Sequence, residues 1–273
     1  MNLKTGNGRL GNLIIMIKNA LHIGLFYKYN IILPKNQFIN TTYIVINDKI
    51  KIDDKQLTGN NGFFGRDEIL NIDKNLFNEN KDMVVKMLKD IFLLNNAKPL
   101  GVNDLVIHIR SGDIFASKSP HPRYLMPPLS YYRNIIEQNS FDNIYLIAED
   151  KLNPCINRLL ELFPKIIFKF QPFEKDVDMI LGASNIVISY GTLVPQLLDL
   201  SNKKKKIYIP SYMYKYKPEC FRFITENECT FHVTELEDYY KIMIPWKNSP
   251  EQIETMIAYE SIKDGKVDLS MTC

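Results

Sequence analysis

Between Leu105 and Ile209 the chain repeats one pattern. A short apolar run rich in β-branched residues gives way to polar residues and then to a stretch with helical spacing. The runs at 105–109, 143–148, 165–170, 186–189 and 206–209 read as strands. Those at 131–138, 154–163, 176–183 and 193–200 read as helices. Strands alternating with helices at this spacing call for a parallel sheet with right-handed crossovers, so this half is predicted to be a doubly wound α/β domain. Ligands of such sheets lie outside the carboxyl ends of the strands. Polar residues recur at those ends: His108, Arg110 and Asp113 after the first run, Glu149 and Asp150 after the second, and Ser189 and Thr192 after the fourth.

The stretch Leu105-Val106-Ile107-His108-Ile109-Arg110-Ser111-Gly112-Asp113 is the densest of these. An arginine at a strand mouth suits a phosphate, because its planar fork of donors matches phosphate oxygens and never loses its charge. The alternative is an internal ion pair between Arg110 and Asp113 that only shapes a loop.

At 273 residues the chain holds one large domain or two ordinary ones. Its 45% hydrophobic and 24% charged content supports a sizeable core, and a net charge of +3 argues against a dedicated nucleic-acid binder. No acidic residue precedes Asp48, whereas Lys4, Arg9, Lys18, Lys28 and Lys35 do, so the N-terminal region is positive. Cys155, Cys220, Cys229 and Cys273 show neither CxxC pairing nor a histidine at zinc spacing, and are read as reduced thiols in a cytoplasmic compartment. Residues 13–27 are apolar, but Lys18, Asn19 and His22 interrupt them. Neither a signal peptide nor a transmembrane segment is expected.

The N-terminus, Gly6-Asn7-Gly8-Arg9-Leu10-Gly11-Asn12, matches GxGxxG and leads into a helical pattern from about Leu13 to Lys28. A dinucleotide fingerprint needs a preceding strand and an acidic residue about 20 positions on. Both are lacking, so the NAD reading fails. A glycine turn remains, whose N–H groups and Arg9 face a helix start; it either holds an anion or sugar hydroxyl or merely lets the helix pack.

Strands are expected at 30–33 and 42–46, loops and short elements across 47–80, and a helix over 82–94, with a boundary near 95–103. Ser130 is expected to cap the helix at 131–138. The lysine run 203–206 reads as a solvated turn. A closing helix falls within 250–259. The expected domains are residues 1–98 on the acceptor side, 99–245 for nucleotide-sugar binding, and 246–273 as closing helix and tail.

Three segments together carry a resemblance. Gly8-Arg9-Leu10-Gly11-Asn12 before an apolar helix resembles the opening motif of α-1,2-fucosyltransferase-like enzymes. His108-Ile109-Arg110-Ser111-Gly112-Asp113 resembles the H-x-R-x-G-D stretch of the wider fucosyltransferase superfamily. Residues 176–192 resemble the family's later segment, an acidic helix before a strand with a polar end. The chain departs from the pattern at Tyr190-Gly191, at Leu193-Val194-Pro195 and at Leu13-Ile14.

The resemblance implies a GT-B-like α/β fold, two facing Rossmann-like halves with a central cleft. It implies an inverting, metal-independent transferase that moves fucose from GDP-fucose to a hydroxyl of a glycan acceptor, with no metal or other cofactor. Carried over by position, Arg110 contacts the donor pyrophosphate and His108 lies near the nucleotide. Ser189 and Thr192 add phosphate hydrogen bonds, and Asp178 with Glu149 or Asp150 approaches the guanine or ribose. Gly8, Arg9, Gly11 and Asn12 belong to the N-terminal motif. The base that takes the acceptor proton is Asp113 or, across the cleft, Asp67 or Glu68. An ion pair with Arg110 would make Asp113 a weaker proton acceptor. Transfer of another UDP- or GDP-linked sugar, a non-catalytic nucleotide- or carbohydrate-binding module, and a serine hydrolase built on Ser189 and His232 are the alternatives. The Ser189 context lacks the G-x-S-x-G spacing of a nucleophile elbow.

Overall fold

The computed structural model describes residues 3, 9–48, 72, 74–94, 97–201, 205–216 and 229–260. The chain divides into two compact units. One is Met1–Asn96 with Pro195–Leu200, and the other is Ala97–Val194 with Ser201–Cys273.

The first unit is built on α1 (Leu10–Tyr27), which packs against α3 (Lys81–Ile91) and β1 (Ile31–Ile32). β1 pairs antiparallel with β2 (Tyr43–Ile44), and α2 (Lys74–Glu79) precedes α3. In α3 the buried residues Val84, Leu88 and Ile91 recur at helical spacing on one face, as the periodicity predicts. Helix α1 is long and apolar enough to cross a membrane by length and composition, but two thirds of it is buried within the protein. Its Lys18 is 1% exposed. The ammonium donates to Asp199 Oδ2 at 2.7 Å and to the Gln196 side chain. A lysine this deep keeps its charge only with such partners. Helix α1 starts at Leu10 rather than Leu13, so Gly11 and Asn12 are helical residues and not part of a turn. Arg9 is the N-cap, with no side-chain capping bond. Gly6 and Gly8 lie outside the described residues.

The second unit carries a six-stranded, all-parallel sheet: β3 (Leu105–His108), β4 (Ile144–Ile147), β5 (Ile166–Phe168), β6 (Asn185–Ile188), β7 (Lys205–Pro210) and β8 (Cys229–Thr234). Their order across the sheet is β5-β4-β3-β6-β7-β8. By order of appearance this is 3-2-1-4-5-6, the doubly wound order of dinucleotide-binding domains. The order reverses between β3 and β6, where connections leave in opposite directions and open a crevice at the carboxyl ends. β6 is buried along its whole length, and β3 is buried up to His108, as befits a sheet covered on both faces. The connecting helices are α4 (Asp113–Ala116), α5 (Leu129–Glu137), α6 (Pro154–Leu162), α7 (Phe173–Gly182), α8 (Leu193–Leu200), α9 (Ser211–Tyr216), α10 (Glu237–Met243) and α11 (Pro250–Ala258). α11 packs on α5 and α6; Ser249 accepts a bond from Gln252 N–H, and Pro250 occupies the first turn.

Several details depart from expectation. Helix α5 begins at Leu129, with Pro128 at the cap and Ser130 buried inside; the proline sets the extended entry, so no serine cap is needed. β7 begins one residue earlier than expected, so Lys205 is a buried strand residue rather than part of a solvated turn, while Lys206 is exposed in the strand. Lys205 is 3% exposed, and its ammonium donates to the carbonyls of Ile180, Leu181 and Ala183. The orphan carbonyls at the end of α7 want a cation, which outweighs the usual preference of lysine for water. Helix α7 starts at Phe173, three residues before the expected Asp176. β8 and α9 were not anticipated. β8 is an edge strand with mixed exposure and no clean apolar run.

Candidate anion-binding site at the β3/β6 switch point

The polar groups on the sheet divide by edge. At the amino edge they satisfy one another: Asp104 accepts from Gly101 N–H and from the Asn143 amide, while Asn185 donates to the Val102 and Asp104 carbonyls. These are structural bonds.

At the carboxyl edge the loop after β3 is built around an arginine. The Arg110 N–H donates to Ser189 Oγ at 3.0 Å, which ties the ends of β3 and β6 together. Its guanidinium donates through Nη2 to Asp113 at 3.2 and 3.4 Å, and its Cζ lies over the Tyr124 ring at 4.9 Å from the centroid. On another side lies Gly191, at φ +131°, where a Cβ would come within 3.3 Å of Nη1. Glycine thus supplies both the backbone conformation and the room for the side chain. The Nε of Arg110 is buried and has no hydrogen-bond partner. A buried donor of this kind is costly unless something accepts from it.

Beside the arginine, Gly112 turns the chain at φ 56° and ψ −118° into the short helix α4. The Glu149 carboxylate lies against Gly112, inside the space a Cβ would need. Asp150 Oδ1 staples this loop: it accepts from the Ser111 hydroxyl, from Gly112 N–H at 3.2 Å and from Leu152 N–H at 2.9 Å. Burial alone would raise the Asp150 carboxyl, but the bonds from Ser111, Leu152 and Gly112 outweigh it and hold it below its ordinary value. Asn153 completes the frame, donating to the Arg110 carbonyl at 3.1 Å while its own N–H donates to Ser111 Oγ at 2.8 Å. Burial, with the Arg110 charge second, lowers His108 to about 4, so its imidazole is neutral at physiological pH.

The strand-end residues Arg110, Asp113, Glu149, Asp150, Ser189 and Thr192 therefore share one edge, and Arg110, Asp113, Asp150 and Ser189 belong to one bonded network, Asp150 through Ser111 and Asn153. Thr192 immediately precedes α8. Asp150 is committed to the chain's own N–H and O–H groups, which leaves Glu149 as the exposed carboxylate after β4. Asp178 lies on α7 in an exposed pair with Lys175 at 3.7 Å and touches none of these groups. Ser189 is fully buried with its oxygen accepting from Arg110, and His232 stacks on Tyr208 on the edge strand β8, two strands from β6; among the described residues the two form no hydrolase pair. Glu68, Asp67 and Gly8 lie outside the described residues, while Arg9, Gly11 and Asn12 belong to the first unit. Tyr124 was missed: it follows a proline-rich loop, where no periodicity marks a side chain as facing a site.

No protein-family model matches the chain, and no curated protein matches it. Two solved structures are similar. NodZ α-1,6-fucosyltransferase soaked with GDP-fucose aligns over 73% of this chain and 91% of its own, with 7% identity and a TM-score of 0.37. E. coli ADP-heptose LPS heptosyltransferase II aligns over 68% of this chain and 52% of its own, with 12% identity and a TM-score of 0.31.

Proposed function

We propose that this protein is an inverting glycosyltransferase that binds a nucleotide-sugar at the β3/β6 switch point, with GDP-fucose as donor and a glycan hydroxyl as acceptor. The observation that carries the reading is the setting of Arg110. A guanidinium is fixed at the mouth of a doubly wound sheet by Asp113, Tyr124 and Gly191, with a buried Nε that lacks an acceptor. A diphosphate supplies the oxygens this fork is shaped for. The H-x-R-x-G-D resemblance supports the choice of donor.

In the proposed reaction the acceptor oxygen forms a bond to the anomeric carbon as the bond from that carbon to the phosphate oxygen breaks. The electron pair leaves with the nucleoside diphosphate, and Arg110 stabilises its growing charge with the N–H groups at the start of α8. The acceptor proton goes to Asp113, which is half exposed and is released from Nη2 as donor phosphate takes that position. Glu149 binds the ribose hydroxyls, at the end of the second strand in order of appearance, the position used for that purpose in dinucleotide-binding sheets.

Turnover of GDP-fucose, other GDP-sugars and UDP-sugars against a panel of glycan acceptors tests this. Arg110→Ala is expected to lower the rate by about 10²–10³, and Arg110→Lys to recover little of it. Near-normal turnover in Arg110→Ala refutes the site, and turnover of a UDP-sugar alone refutes the fucosyl donor.

A further inference from the structure

The proposed reading places phosphate at β3 and ribose at β4, so the next position along the same edge is the end of β5. There the chain carries Phe168 as the last strand residue and Phe170 two positions on, their rings edge to face at 5.1 Å. Lys151, from the loop after β4, lies over the Phe168 ring at 5.1 Å from the centroid, so that face already carries a cation. Phe170 is 64% exposed, and Phe173, at the start of α7, is 39% exposed. Large rings held this open on a rigid strand end expose apolar surface that folding alone would cover.

We propose that Phe170 is the stacking platform for the nucleobase of the donor, with the Phe168 ring, itself covered by Lys151, braced against it. The proposal rests on the reading of the β3/β6 crevice as a nucleotide-sugar site. Two strand spacings separate the ends of β3 and β5, about 10 Å, which an extended nucleoside diphosphate bridges when its phosphates are on Arg110. Every base offers a π-face, so stacking supplies affinity without choosing among bases. A ring edge to face with a neighbour keeps one face for such a partner.

Isothermal titration of the full chain with inorganic pyrophosphate, GDP and UDP, for the natural protein and for Phe170→Ala and Phe170→Trp, tests it. Phe170→Ala is expected to weaken GDP binding about 5- to 100-fold while leaving pyrophosphate binding unchanged, and Phe170→Trp to restore GDP binding. The side chain is largely exposed, so the variants fold. GDP and UDP binding at natural strength in Phe170→Ala overturns the platform, as does an equal loss for pyrophosphate. A natural chain that binds pyrophosphate but neither nucleotide overturns the base site and spares the phosphate site. One that binds none of the three removes the underlying reading as well.

Discussion

The Arg110 N–H and the Ser189 hydroxyl oxygen, 3.0 Å apart, join the two strands that flank the switch point. Ser189 is fully buried, so its loss leaves the Arg110 N–H without an acceptor. Ser189→Ala is expected to destabilise the protein by about 1–3 kcal/mol and to weaken pyrophosphate binding with it. Urea unfolding alongside pyrophosphate titration checks both; unchanged values in each would sink the role given to this bond.

Gly112 has a backbone that side-chain-bearing residues rarely adopt, and the Glu149 carboxylate fills the space beside it. Gly112→Ala should cost about 1–3 kcal/mol from backbone strain alone and displace Glu149 as well. The expected result is a lower denaturation midpoint together with weaker GDP binding. A stable variant with unaltered affinity would show that the loop has another way to relax.

The buried pair of Lys18 and Asp199 gives a prediction with a built-in control. Lys18→Met alone should cost about 3–5 kcal/mol, because it strands the Asp199 carboxylate. Lys18→Met with Asp199→Leu should recover most of that loss, since apolar replacements of a buried pair are often neutral. Equal destabilisation of single and double variants would contradict the analysis.

His108 makes stability depend on pH. Its folded value of about 4 lies below the unfolded value of 6.5, so between these limits the unfolded chain binds more protons. Its contribution is fully present above about 6.5, falls away as the pH drops toward 4, and amounts to about 3 kcal/mol at most. Unfolding free energies at pH 7 and pH 5 should show a decline that His108→Gln reduces. A His108→Gln variant with the same slope would assign the decline to other groups.

The carboxyl-edge site was legible where strand periodicity ends abruptly in charge. Arg110, Asp113, Glu149 and Ser189 all follow apolar runs, and strand ends in such sheets point their loops to one side. What escaped lies where that logic has no purchase. Tyr124 comes from a proline-rich loop, where a turn bond to the His121 carbonyl and stacking on the His121 ring place it, and neither leaves a periodic signal. Asp150 and Glu149 are adjacent and look equivalent in sequence, yet Asp150 bonds Gly112 N–H after β3 and Leu152 N–H after β4, while the Glu149 carboxylate lies against Gly112. Lys205 was misread because a lysine run looks solvated until the carbonyls at the end of α7 are brought beneath it. Ser130 was misread as a cap because the prolines before it already set the helix entry.

The pairing of β3 with β6 also bears on when the site can form. Arg110 and Ser189 are 79 residues apart in sequence, and β6 enters the sheet only after β4 and β5 have been synthesised. Closing so long a loop comes late and slowly in folding. During synthesis the arginine therefore waits on a strand with an open flank until Ile188 and Ser189 have left the ribosome. Fragments that end before β6 are expected to bind no pyrophosphate, however well their first strands pair.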